Sequence, residues 1–450
     1  MQSSAQPITE TQTAADAGLQ AQSARDRIAS ARSWAILAVR ACLLVVLAFS
    51  IYFAARQGVA AWYFRKSLPQ DIEAATKWDG GNPQYPSALA TLMRFYADNP
   101  NPEPIVSLCE TAVRLSPNDA QYWADLGAAY DWAGRPNDAL QAFERARDLF
   151  PNSPGINWSL ANFYIRAGRA DDGLRTLKKV LDEGGINEQQ VFSLATHAAP
   201  GSDVVLNEVL PPRAPFLIDY LNFQSTAGNI DAAKAVWASL LESRQPFELR
   251  QAFPYFDALI HHKDLNAASQ EWAELADRFP GQIRERTSAE NLVTNGDFAF
   301  EILNGGFDWR VNPVQGATVS IQQADSGSAG SLQIEFDGSR NLEYGDVIQL
   351  VRVQPRTRYQ FSAQIRGRGI TTDSGPRFQV FDFADMAKVF ASTENLVGTF
   401  DWSTETLPFQ TSPETRLLVV RLARPASSKF DNKIAGTVWI RRVSLVRERE

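Results

Sequence analysis

The chain has 450 residues, with 44 basic and 51 acidic side chains and a formal net charge of −7. That length exceeds what one hydrophobic core usually serves, so two or three domains are expected. The ordinary apolar content of 44% excludes wholesale disorder, and the acidic balance excludes an electrostatic footprint for nucleic acid.

Residues 291–450 carry 18 basic and 18 acidic side chains, so the whole −7 lies in residues 1–290. That surplus fits solubility or attraction for a basic partner. Of the two cysteines, Cys42 lies in a long apolar run and Cys109 in a distant helical segment. They offer neither a disulfide framework nor a metal cluster.

Residues 1–33 are rich in Gln, Ala, Ser and Thr, the composition of a disordered tail. A transmembrane helix is expected over 34–56. Its core, Trp34 to Ala55, has 22 residues and one charge, Arg40. As a helix it would be about 33 Å long, enough to cross a bilayer core. Arg40 is near enough to one end to snorkel. A cleaved signal peptide fits less well, because the apolar run starts late, is too long and lacks a small-x-small site. Arg25, Arg27, Arg32 and Arg40 outweigh Arg56, Arg65 and Lys66, which leans the N-terminus toward the cytoplasm. Residues 57–85 are expected as a juxtamembrane linker or helix, with Trp62 and Tyr63 suited to the headgroup layer.

Helical repeats are expected over 86–283, strict in 86–187 and degenerate in 214–283. Trp123, Leu126, Gly127, Tyr130, Ala139, Phe143, Ala146 and Pro151 stand at eight signature spacings. On these residues the segment resembles a tetratricopeptide repeat. Gly127 and Ala139 allow close helix approach, Gly134 ends the first helix and Pro151 the second. A step of 34 forward places Leu160, Ala161, Tyr164, Gly173, Leu177 and Val180 in register, with Asn157 in place of the first aromatic. A step back places Leu89, Leu92, Tyr96, Ile105, Cys109, Ala112 and Pro117. Cys109 therefore reads as a small buried residue rather than a nucleophile. Gly228, Ala233, Trp237 and Leu240 mark one degenerate hairpin; Ala268, Trp272, Leu275 and Pro280 mark another. About five hairpins are expected, with a break or half-repeat near 190–213.

The first helices of such a solenoid line a concave groove that holds partner segments. Arg94, Asp131, Trp132, Trp158, Asn162 and Arg166 fall at groove-facing spacings. The alternative for Trp132 is packing against the neighbouring repeat.

After a linker at 284–290 the pattern turns to period two. Ser331–Asp337, Tyr359–Arg366, Arg416–Leu422 and Thr437–Leu445 alternate as strands of a β-sandwich over 291–450. Asn291–Glu301 (NLVTNGDFAFE), Gly305–Val311 (GGFDWRV) and Gly436–Val446 (GTVWIRRVSLV) resemble the first and last strands of the galactose-binding-like jelly roll of bacterial carbohydrate-binding modules. The resemblance implies a jelly roll and glycan contact. Its acidic pair near a structural calcium is replaced by Arg441 and Arg442, and Ala299 follows Phe298, although Asp297 and Glu301 remain. No bound metal is expected. A possible glycan face combines Gln360, Gln364 and Arg366 on one strand with Arg377, Gln379, Phe381 and Phe383 on another, as if lining one concave sheet. The alternative is a solvated outer face. Trp309, Trp402 and Trp439 are expected in the core or in edge packing.

The three histidines, His197, His261 and His262, have no carboxylate at metal-motif spacing, and HExxH, Walker and GxSxG motifs are missing. No catalysis and no cofactor are expected. The expected fold is thus multidomain: a transmembrane helix, an all-α tetratricopeptide solenoid, then an all-β jelly-roll sandwich. The architecture resembles membrane-anchored repeat proteins of bacterial exopolysaccharide clusters. It implies a single-pass inner-membrane adaptor with extracytoplasmic domains, binding a protein partner at the membrane. The alternative is a glycan-binding module on a helical stalk.

Overall fold

A computed structural model describes residues 10–96, 101–283, 290–322 and 330–448. Residues 1–9 of the expected tail and 284–289 of the expected linker lie outside the described residues. The chain divides into two compact units, residues 1–187 and 188–450.

In the first unit, helix α1 runs from Glu10 to Phe64. It begins well upstream of the apolar run, within the stretch whose composition suggested an irregular tail. Its Trp34–Phe64 stretch has 31 residues, long and apolar enough to cross a membrane, and Leu43, Leu44, Val45 and Val46 are all exposed. Such a helix is a membrane anchor or a signal sequence by length and composition. Its end is not free. Ala60 is buried with Ile72 and Ala75 of α2 (Pro69–Trp78) and Tyr85 and Leu89 of α3 (Gln84–Tyr96). The apolar helix thus feeds directly into the first repeat.

Three hairpins follow: α3 with α4 (Pro102–Leu115), α5 (Ala120–Trp132) with α6 (Pro136–Leu149), and α7 (Pro154–Arg166) with α8 (Ala170–Glu183). Each α5-type start is capped: Asp119 accepts from the Gln121 N–H and Ser153 from the Ile156 N–H. Gly134 and Gly168 close α5 and α7 at φ +72° and +74°, a region side chains rarely adopt. The repeat signature is a packing rule. Leu126, Ala139, Phe143 and Ala146 are buried, and a Cβ on Gly127 would lie 2.9 Å from the Phe143 ring. Trp123 Nε1 donates to the Pro117 carbonyl, and Asn157, 34 residues on, donates from Nδ2 to the Pro151 carbonyl. The departure from the aromatic keeps the hydrogen bond. Its donor also meets the Glu183 carboxylate at 2.9 and 3.1 Å.

In the second unit, α9 (Glu188–Ala198) stands as a half-repeat, followed by α10 (Ser202–Val204) and a π-helical turn to Val209. Two hairpins come next: α11 (Ala214–Thr226) with α12 (Ile230–Ser243), and α13 (Phe253–His261) with α14 (Leu265–Arg278). Trp237, Tyr255 and Phe256 fill their interior with ring contacts of 5.3–5.6 Å.

The C-terminal part is a sandwich of two five-stranded antiparallel sheets. The front sheet has the order β1 (Arg310–Val311), β4 (Tyr344–Arg352), β9 (Leu417–Arg424), β6 (Arg377–Asp382), β7 (Val389–Ser392). The back sheet has β2 (Ala317–Gln322), β3 (Ser331–Asp337), β10 (Ala435–Arg447), β5 (Arg358–Ile370), β8 (Gly398–Gln410). The opening segment lies along the last strand, with the Leu292 N–H donating to the Leu445 carbonyl and the Val443 N–H to Gly296. A Cβ on Gly296 would sit 2.0 Å from the Val443 carbonyl oxygen, so only glycine fits there. Trp309, Phe298, Phe336, Phe361 and Phe378 fill the space between the sheets.

The degenerate hairpins and the sandwich belong to the same unit. Trp272 of α14 packs against Phe307, 5.9 Å between rings, and against the Gly306 backbone, while Phe253 of α13 packs against Gly305. Arg310 pairs with Asp257 at 2.5 Å, and Arg352 donates to Ser269 Oγ and Asn266 Oδ1. Helices α13 and α14 thus pack against the sandwich as well as against each other.

Candidate functional site

The residues expected to line a groove lie on α3, α5 and α7. Arg94 is half-buried, with its guanidinium 4.6 Å from the Phe95 ring. It lines a cavity of about 170 Å³ with Ser87, Thr91, Cys109 and Asp125. Asp125 accepts from Gln121 Nε2 at 2.9 Å and Ser87 Oγ at 3.3 Å. Burial raises its carboxyl above the usual range, and Gln121, Ser87 and Arg94 only partly oppose this. Burial pushes the Cys109 thiol up to about 12, with Asp125 adding to the effect, so it is a packed thiol and not a thiolate.

Arg166 of α7 pairs with Asp131 of α5 at 2.5 Å. The pair is partly solvated, so its contribution to stability is below about 1 kcal/mol. Trp132 is 41% exposed. More than half of its surface is thus covered and the rest is open to solvent. Trp158 is half-buried, and Asn162 donates to the Trp158 carbonyl within its own helix. Asn162 thus has one amide proton committed.

Asp125, Ser87 and Gln121 were not among the residues expected from the repeat spacing. The signal was present: Thr91, Asp125 and Ser159 are separated by the same repeat step of 34. Asp125→Asn is expected to raise the melting temperature at pH 7. A carboxyl raised in the folded state contributes stability below its ordinary value and loses it as pH rises through the folded value. The gain should shrink on acidification; a lowered melting temperature at pH 7 would show that the Arg94 attraction outweighs burial.

The residues proposed for a glycan face do not share a sheet. Gln360, Gln364 and Arg366 project outward from β5 in the back sheet, whereas Arg377, Gln379 and Phe381 lie on β6 in the front sheet. The two strands are consecutive in sequence, but the chain crosses between sheets after Ile370. On the front sheet Arg421 donates to Gln379 Oε1 at 2.8 and 3.0 Å and lies 4.7 Å from the Phe381 ring. Phe381 is only 2% exposed, Arg377 donates to Asn395, and Phe383 is half-buried just beyond the strand. That face is largely self-satisfied.

The tryptophans divide between the core and the outer face of the sandwich. Trp309 is fully buried, but Trp402 and Trp439 point outward from the back sheet. Trp439 alternates with Val438 and Ile440, which take the inner positions and are fully buried.

A family model described as tetratricopeptide repeat matches residues 133–185. The first unit carries a tetratricopeptide repeat region. The chain is 35% identical over 72 residues to Superkiller protein 3 of Schizosaccharomyces pombe, covering 16% of this chain and 5% of that one. It is 28% identical over 108 residues to the TPR repeat-containing protein YpiA of Bacillus subtilis, covering 24% and 26%. The chain therefore spans only a small part of these relatives. Among solved structures, a MamA protein aligns with 43% of this chain and 91% of its own, at 16% identity and a TM-score of 0.29. A CBM4 structure aligns with 35% of this chain and 99% of its own, at 14% identity and a TM-score of 0.27.

Proposed function

We propose that this protein is a membrane-anchored scaffold that binds a segment of a protein partner in the α3–α5–α7 groove, without catalysis of its own. The observation that supports this reading is the set of side chains on α3, α5 and α7: a half-exposed Trp132, the Asp131–Arg166 pair and the cavity lined by Arg94 and Asp125. Mixed charge with an aromatic anchor is the composition of a protein-binding surface. The apolar helix packs into the first repeat through Ala60, which supports a groove held close to a bilayer.

The setting we infer is the bacterial inner membrane, with the repeats and sandwich extracytoplasmic. Support comes from the excess of arginines on the N-terminal side of the apolar helix. Envelope or exopolysaccharide assembly is the process that this architecture suits. Alkaline phosphatase fused to the C-terminus should be active; an inactive fusion with an active cytoplasmic reporter would reject the placement. Substituting both Asp131 and Trp132 by Ala should weaken partner pull-down by about tenfold or more, equivalent to roughly 1.4 kcal/mol. Unchanged recovery would remove the groove from consideration.

A further inference from the structure

The outer face of the back sheet carries an aromatic and guanidinium cluster that the repeat groove does not use. Arg366 on β5 lies 4.6 Å from the Trp439 ring and 6.0 Å from the Trp402 ring. Arg441 on β10 lies 4.0 Å from the Trp402 ring and donates from Nε to Gln364 Oε1 at 2.9 Å. Trp439 is oriented by its own hydrogen bond, Nε1 to Gln333 Oε1 at 3.1 Å. All of these side chains are half-buried, so the cluster is packed at its base and open above.

Two facts distinguish this cluster from ordinary surface packing. Among the described residues no carboxylate pairs with Arg366 or Arg441, whereas Arg310 and Arg166 do have acidic partners. Both guanidinium groups are held against indole rings, which fixes their planes and leaves N–H donors directed along the face. Arg368 and Arg442 are exposed beside them. The acidic residues Glu335 and Asp337 lie toward the end of β3 that pairs with Thr437 and Ala435, away from Arg441. Asp401 precedes Trp402 on β8 and accepts from the Trp402 N–H, and it makes no ion pair with either arginine among the described residues.

We infer that this face binds an anionic polysaccharide, one whose sugar rings carry carboxylates. A carboxylate matches the planar fork of a guanidinium bidentately. The C–H faces of the sugar rings suit the open parts of the indoles, and the Gln333 and Gln364 amides suit hydroxyl groups. Because the arginines are already stacked, little side-chain entropy is lost on binding. The site lies in the second unit, and the strict repeats lie in the first.

The test is affinity electrophoresis of the purified full chain through gels containing polygalacturonate, alginate or neutral galactan. Retardation is expected with the two acidic polymers, falling with added salt, and none with galactan. Arg366→Gln with Arg441→Gln should weaken retardation at least tenfold while leaving the melting curve unchanged. Trp402→Phe with Trp439→Phe should retain most of it, which guards against a fold defect in the arginine variant. No retardation by either acidic polymer would overturn the proposal. So would full retention in the arginine variant, or equal binding of single-stranded DNA or polyphosphate, which would mark a general polyanion surface.

Discussion

Arg424→Met is expected to cost the sandwich about 3–5 kcal/mol, enough to unfold it at ordinary temperatures. Arg424 follows Leu418, Val420 and Leu422 at the inward positions of β9, and it is fully buried. Its guanidinium donates to the carbonyls of Ser374 at 2.9 Å, Leu342 at 2.6 Å and Asn432 at 3.0 Å. It also reaches Asn341 Oδ1 at 2.9 Å and Thr372 Oγ1 at 3.3 Å. It therefore ties the loops at one end of the sandwich to a single point. Burial lowers its pKa from the ordinary value, opposed in part by Asp373. Methionine keeps most of the volume but removes the donors to the Leu342 and Asn432 carbonyls and leaves that of Ser374 with Thr372 Oγ1 alone. Chemical denaturation of the purified chain, followed through the near-ultraviolet signal of buried Trp309, reads the loss. A change below about 1 kcal/mol would show that water replaces the guanidinium there.

The second large effect is expected at Gly306. Its φ is +56°, and a Cβ would lie 2.0 Å from the Trp272 ring. Gly305 is as tight, with a Cβ at 2.2 Å from Phe253. Gly306→Val should therefore push the loop before β1 off α13 and α14. Left-handed backbone strain adds to the clash. Asp257 and Arg310 would then lose their 2.5 Å pairing. Amide exchange in α13 and α14 should accelerate by orders of magnitude, while α3–α8 remain protected. Unchanged exchange in those helices would mean that the hairpins hold together without the sandwich.

Parts of this fold were legible because one residue type does one job. Gly127 faces Phe143, Gly134 takes a positive φ, and Pro151 follows the end of α6, each as the repeat spacing implies. Alternation in Ser331–Asp337 gave β3 its boundaries and its inward face. Other parts were not legible. Periodicity places Arg424 inward, but a charged side chain is read as exposed until its carbonyl partners are known. Trp402 and Trp439 were expected in the core or in edge packing; the inner positions beside Trp439 are filled by Val438 and Ile440. Strand pairing decides which residues share a face, and sequence order misled there: β5 and β6 are consecutive but belong to different sheets. In the groove, Asp125 escaped notice because its burial follows from the approach of α3, which repeat spacing alone does not measure.

The central claim is that the strict repeats hold a protein partner in their concave groove. It is tested most directly by photocrosslinking in living cells, with a photoreactive amino acid in place of Trp132 in the groove or Arg145 on α6. Arg145 is exposed on the second helix of the same hairpin and serves as the control. The expected result is a discrete adduct from position 132, absent from position 145 and lost when Arg94 is changed to Glu. Equal adducts from both positions, or none from position 132, would contradict a groove-bound partner.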